Sequence, residues 1–168
     1  MKDTRYWIFY CNPEYYPIDD FLNSGEIKLT WGTHSSQRKL FNIGDKGIIR
    51  VGLDRRTKER LKGKQKLESG IYAIVQIISI PDYIPDSDSE NCSPRLSPEE
   101  NKLRVWIKIL KNLFVSPILI KDLKKIYETN QDEALIKGIR LNSFNLSKTA
   151  FNKIDEICDL RLAKSENR

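Results

Sequence analysis

The chain reads as an α+β fold: a small, mostly antiparallel β-barrel of about five or six strands surrounded by short helices. Runs of aromatic and β-branched residues recur along it, separated by Gly, Pro, Asn and Asp. Helix-spaced apolar patterns stay short until the C-terminal part, and no regular alternation of strand and helix marks βαβ units. At 168 residues the chain holds one core and is short for two. A single domain over residues 1–162 with a polar tail at 163–168 follows.

Tyr6-Trp7-Ile8-Phe9-Tyr10 is the first strand, stopped at Asn12-Pro13 because proline removes a ladder donor. Pro17 opens a short helix over Ile18-Asp19-Asp20-Phe21-Leu22, with acids at the positive end of its dipole and Asn23-Ser24-Gly25 ending it. Ile27 to Trp31 is extended. Ser35 or Ser36 can cap a helical turn reaching Leu40-Phe41. After the Asn42–Lys46 turn, Gly47 to Val51 is a strand. Residues 53–69 form a basic connection, long for a hairpin and read as mobile. Gly70 to Ile80 is nearly all apolar, as in a central strand buried on both faces. Residues 81–101, rich in Pro, Ser and acids, read as a disordered or functional loop. In Arg104-Val105-Trp106-Ile107-Lys108-Ile109 the alternation sends Val105, Ile107 and Ile109 inward and Arg104, Trp106 and Lys108 outward. Ile120 to Tyr127 and Ala134 to Ile136 are helical, Leu141 to Phe144 is extended, and Ser147 caps a closing helix from Lys148 to about Leu162.

Composition excludes more than it asserts. His34 is the single histidine, and Cys11, Cys92 and Cys158 lie far apart, so a metal cluster, a disulfide framework and a histidine-based triad all lack their residues. Asp19, Asp20 and Asp45 coincide with helix-start and turn positions. The expectation is therefore no enzyme, no metal and no cofactor. No run approaches the ~18 apolar residues of a membrane span, and Met1 to Arg5 lead into an aromatic run rather than a cleavage pattern. A reducing cytoplasm is expected. The formal charge of +6, from 29 Lys plus Arg against 23 Asp plus Glu, points weakly to a polyanion.

The stretch Thr30-Trp31-Gly32-Thr33 to Ser35-Ser36-Gln37-Arg38-Lys39 sets a large aromatic beside Gly and hydroxyls. That suits a slot for a flat polar ring, and equally a core Trp followed by a loop.

Several segments, in order, resemble EVE domains: Arg5 to Glu14 their opening strand and turn, Ile18 to Leu22 their first helix, and Trp31-Gly32-Thr33 through Arg38 their Trp-containing segment. Ile43 to Gly47 is similar to their turn into the next strand, Gly70-Ile71-Tyr72-Ala73 to their Gly-Ile strand, and Ser147 to Ile157 to their closing helix. The connections at 55–66 and 81–101 are longer than in a minimal domain.

The resemblance implies a PUA-like barrel, related to ASCH and YTH domains, that binds nucleic acid and holds a modified base in an aromatic-lined pocket. The favoured ligand is DNA carrying 5-methylcytosine or a related modified cytosine, taken up by base flipping in modification-dependent restriction or phage defence. A nuclease or GTPase effector would be fused or encoded separately. An RNA reader or RNA-modification accessory is the alternative, and a protein-interaction module a further one.

On this reading Trp31 is the stacking wall. Tyr83 or Trp106 is the second wall, although a Trp over a barrel seam explains Trp106 equally. Asn12 can donate and accept at a base edge, or bond into its own turn. Gly32, Thr33, Ser35 and Ser36 can line the slot, and helix capping accounts for the serines equally. Arg38, Lys39, Arg55, Arg56 and Lys58 are candidate phosphate contacts, against the alternative of a solvated charged loop.

Overall fold

The computed structural model describes residues 3–84, 102–138 and 143–168. Of the loop expected over 81–101, Asp82–Ile84 instead form a short strand paired with 102–104, while residues 85–101 and the start of the Leu141–Phe144 stretch lie outside the described residues.

Among the described residues eight strands form one curled sheet: β1 (Tyr6–Cys11), β2 (Lys28–Gly32), β3 (Lys46–Val51), β4 (Gly70–Ile77), β5 (Asp82–Ile84), β6 (Lys102–Asn112), β7 (Ile118–Leu119) and β8 (Ser143–Asn145). Six follow the order β2-β6-β4-β3-β1-β8, while β5 pairs with β6 and β7 with β4. The result is a half-barrel in which every pairing is antiparallel except β1 with β3. Gly47 makes that parallel pairing possible, since a Cβ there would stand 2.6 Å from the Trp7 carbonyl oxygen and 2.8 Å from the Phe9 ring.

The period of two along each strand divides the apolar residues between two cores. Trp7, Phe9, Cys11, Ile49, Val51, Val75, Val105 and Ile107 fill the inner core, roofed by α1 (Ile18–Ser24) through Ile18 and Leu22. Ile8, Ile48, Ile71 and Ile74 face the other way, against Leu135, Phe151, Ile154 and Cys158 of the helical layer. β4 belongs to both cores, which is why its sequence is nearly all apolar. Burial pushes the Cys158 thiol up to about 11, so it is a packing group rather than a nucleophile.

The helical layer comprises α3 (Ile120–Leu123), α4 (Tyr127–Asn130), α5 (Glu133–Lys137) and α6 (Lys148–Glu166). The single helix expected over 120–127 is two. Ile126 is extended between them, and the Leu123 carbonyl accepts from Ile126 N–H and, at 2.6 Å, from the Thr129 hydroxyl. Ser147 caps α6 as expected, accepting from Ala150 N–H, and the helix runs on to Glu166 instead of stopping near Leu162.

The basic connection is also more structured than expected. It holds a turn of helix, α2 (Lys58–Leu61), capped by the Thr57 hydroxyl. Arg56 pins it from within: its guanidinium lies 3.0 Å from Asp19 and 2.7 Å from Asp54, with Arg56 only 4% exposed. Lys64 adds contacts to Asp19 at 3.2 Å and Asp20 at 2.7 Å.

Candidate functional site

Residues 33–41 strap the open side of the half-barrel. Thr33 N–H extends the β2 ladder by donating to Leu103 O at 2.9 Å. A 3₁₀ turn follows at Ser35–Gln37, and its cap is His34, whose Nδ1 accepts from Ser36 N–H, not a serine as expected. Gln37 then makes a reciprocal pair with β8, donating to Ser143 O at 3.0 Å and accepting from the Ser143 hydroxyl at 2.9 Å. Phe41 returns into the core 4.2 Å from the Trp7 ring. The strap thus ties the β2 edge to the β8 edge. Ser35, Ser36, Arg38 and Lys39 remain exposed on it.

Trp31 points into the barrel and is 7% exposed. Phe9 meets its ring edge-on at 5.8 Å and Tyr16 at 6.1 Å. Tyr16 is brought there by the turn after β1, in which Asn12 O accepts from Tyr15 and Tyr16 N–H and Asn12 Oδ1 accepts from Glu14 N–H at 3.0 Å. The Asn12 side chain therefore shapes the turn. Tyr16 escaped the sequence reading, and its one signal was the Tyr15-Tyr16 pair following Asn12-Pro13.

Tyr83 is 52% exposed on β5, opposite Leu103, and Leu103 O is the acceptor for Thr33. The Arg38 guanidinium lies 5.8 Å from the Tyr83 ring centre. Trp31 pairs with Val105, two residues along β6 from Leu103, so Tyr83 and Trp31 share the inner side of the sheet. One end of the half-barrel accordingly gathers Trp31, Gly32, Thr33, Arg38 and Tyr83, with Tyr16 against the Trp.

Two candidates separate from this group. Trp106 alternates with the inward Val105 and Ile107, so it stands on the opposite face of the sheet and is no second wall for Trp31. Arg56 does not present its charge to solvent. Its bonds to Asp54 outweigh the cost of burial and, with Asp19, hold its guanidinium pKa above the ordinary value. Arg55 and Lys58 stay exposed beside it. Arg60 of α2 donates to the Glu14 carbonyl, joining the basic connection to the turn that carries Tyr16.

The carboxylates weighed for catalysis are occupied. Asp19 holds Arg56 and Lys64, Asp20 holds Lys64, and Asp45 accepts from Trp7 Nε1 at 3.0 Å and from the N–H groups of Arg5 and Asn42. Among the described residues no His, Cys, Asp and Glu cluster could hold a metal ion. No described helix is long and apolar enough to cross a membrane. An open groove between α4, α5 and β8, lined by Tyr127, Asp132, Lys137 and Phe144, contains none of the candidate residues.

A curled, largely antiparallel half-barrel with an aromatic interior at its strapped end defines a PUA-like fold. Residues 5–157 match the model of the EVE domain, and the chain belongs to that family. A hypothetical protein from Leishmania major superposes with a TM-score of 0.62 at 19% identity, covering 99% of this chain and 98% of its own. An NMR structure from Rhodopseudomonas palustris gives 0.58 at 21%, covering 94% of each chain. Human THYN1, solved in complex with 5-methylcytosine-containing DNA, gives 0.58 at 13%, covering 92% of this chain and 97% of its own. No curated protein matches.

Proposed function

We propose that this EVE domain reads a modified base in nucleic acid, with 5-methylcytosine or a related modified cytosine in DNA as the favoured ligand. The observation that carries the proposal is the clustering of Trp31, Tyr16, Thr33, Tyr83 and Arg38 at one end of the half-barrel. Family membership and the complex of human THYN1 with 5-methylcytosine-containing DNA support it.

The base would be flipped from its stack, which costs a few kcal/mol. Stacking on an aromatic returns about 1–3 kcal/mol. Trp31 is the inner wall, and Tyr16, half-buried against it, is the ring that moves aside to admit the base. The Thr33 hydroxyl and the backbone beside Gly32 are groups at the mouth that can meet a base edge. Tyr83 with Arg38 forms the rim. Arg38, Lys39, Arg55 and Lys58 neutralise backbone phosphates and set the register without reading sequence. The domain carries recognition alone, in the service of an effector such as a nuclease or GTPase in restriction or phage defence.

Titration of methylated, hydroxymethylated and plain cytosine duplexes against wild type, Trp31→Phe and Tyr16→Ala tests this. The Phe variant keeps an aromatic in the core and should bind the preferred duplex more weakly, and Tyr16→Ala should alter discrimination among the three. Wild-type affinity and discrimination in both variants would move the site elsewhere. The same modified base offered in RNA shows which polymer is preferred.

A further inference from the structure

We propose that the outer face of β2 and β6 is a second nucleic-acid surface, binding single-stranded polynucleotide irrespective of modification. It goes beyond the reader pocket, because it lies on the other side of the sheet.

The helical layer covers the outer face of β1, β3 and β4. Its core includes no residue of β2 or β6. The contacts of Lys111 with Asp155 and Asp159, both 2.6 Å, mark where α6 meets the end of β6. Among the described residues the outward side chains Trp106, Lys108 and Leu110 of β6 stay at least partly exposed, whereas Arg104 is buried. Trp106 occupies the middle of this strip and is 37% exposed, whereas Trp7 and Trp31 are at 0% and 7%.

Lys28 and Lys108 flank Trp106, while Arg104 is buried at 3% exposure opposite Asp82 in the β5–β6 register. Lys28 and Lys108 are directly opposite in the β2–β6 register, an arrangement that costs stability because like charges face each other. Among the described residues neither ammonium has an ion-pair partner. Arg104, two residues from Trp106 on the same face, is fixed by its Nε bond to the Thr30 hydroxyl at 2.9 Å. A repulsive lysine pair beside an exposed indole is what a polyanion with unpaired aromatic rings complements: phosphates offset the ammonium charges and a base stacks on the ring. A duplex hides its base faces, so a single strand is the better fit. Glu26, which precedes β2, and Asp82, opposite Arg104, hold neither lysine, so Lys28 and Lys108 leave the strip basic among the described residues.

Unmodified oligothymidylate is the probe, and because thymine carries the same 5-methyl group as 5-methylcytosine it is titrated against Trp31→Phe as well, where binding to the outer strip should be unchanged. It should quench the tryptophan fluorescence of wild type at low salt. Trp106→Leu, an exposed substitution that leaves the core intact, should bind about 5- to 150-fold more weakly and lose the quenching. Lys28→Gln and Lys108→Gln should each flatten the dependence of log affinity on log salt by roughly 0.7. Wild-type affinity in Trp106→Leu, or an unchanged salt slope in both lysine variants, would overturn the proposal. So would polyglutamate binding that depends on the lysines and matches oligothymidylate in affinity, which would make this a surface for acidic protein. If methylcytosine discrimination failed in the duplex titration, the oligothymidylate result would still stand alone.

Discussion

Arg56 and Trp31 show how differently two large side chains can use burial. Arg56 is enclosed by Asp19 and Asp54, and removing it leaves Asp54 buried without a counter-charge and Asp19 with Lys64 alone. Arg56→Ala should cost about 3–5 kcal/mol, a fall in Tm of roughly 6–20 °C for a chain of this size. Arg55→Ala, an exposed neighbour, should leave Tm within about 2 °C. Calorimetry on the pair checks both. Trp31→Ala should destabilise by about 3–5 kcal/mol through the cavity it leaves, so binding is better read in the Phe variant. Sequence singled out Trp31 because a strand, a Gly and hydroxyls surround it within a few positions. It did not reveal the role of Arg56, since Asp19 is 37 positions away and a charge cluster ordinarily reads as solvated. Tyr16 was hidden for another reason: a turn has no periodicity to betray which ring points inward.

The same ion cluster acts at the scale of an element, converting residues 53–69 from a tether into a fixed arm against α1. Burial pushes the Asp54 carboxyl up, but hydrogen bonds from Arg56 and from Leu67 N–H outweigh it and leave the pKa below the ordinary carboxylate value. A depressed folded-state pKa contributes stability that is complete above the unfolded value near ~3.9 and is lost as pH falls through the folded one. The Tm gap between wild type and Asp54→Asn should therefore be widest near neutrality and narrow steadily below about pH 4. A gap that is constant with pH would assign the loss to packing alone. The strap offers a second element-scale case. Gln37→Ala removes both bonds to Ser143, and amide exchange in β8 should accelerate while β3 and β4 stay protected. β1 and β4 were legible from aromatic and apolar runs and β6 from period-two alternation, whereas β5 falls in the stretch read as a loop and the two-residue β7 is too short to carry a pattern. The strap was not, because its partner Ser143 is 106 residues distant and nothing local says that a Gln closes a seam.

For the whole molecule, the formal charge of +6 gains meaning from where the cations stand. Arg38 and Lys39 lie on the strap, Arg55 and Lys58 on the pinned arm, and Lys28 and Lys108 on the far face of the sheet. Fold class and the outward direction of Trp106 follow from sequence pattern. The sheet geometry adds the decisive fact that Trp106 and Trp31 are on opposite faces. That divides one supposed aromatic cage into an inner cluster and an outer strip. Binding to duplex DNA should weaken steeply with salt, and neutralising Arg38 and Lys39 together should lower the slope of log affinity by about 2 without altering preference among cytosine forms.

The central claim is that the strapped end of the barrel reads a modified base. It is met most directly by the affinity ratio for two duplexes that differ only in the methyl of one cytosine. Burying that methyl is worth ~0.8 kcal/mol, so the methylated duplex should bind at least about 4-fold more tightly, and Trp31→Phe should reduce the ratio. Equal affinities for methylated, hydroxymethylated and plain duplexes in the folded wild type would contradict it.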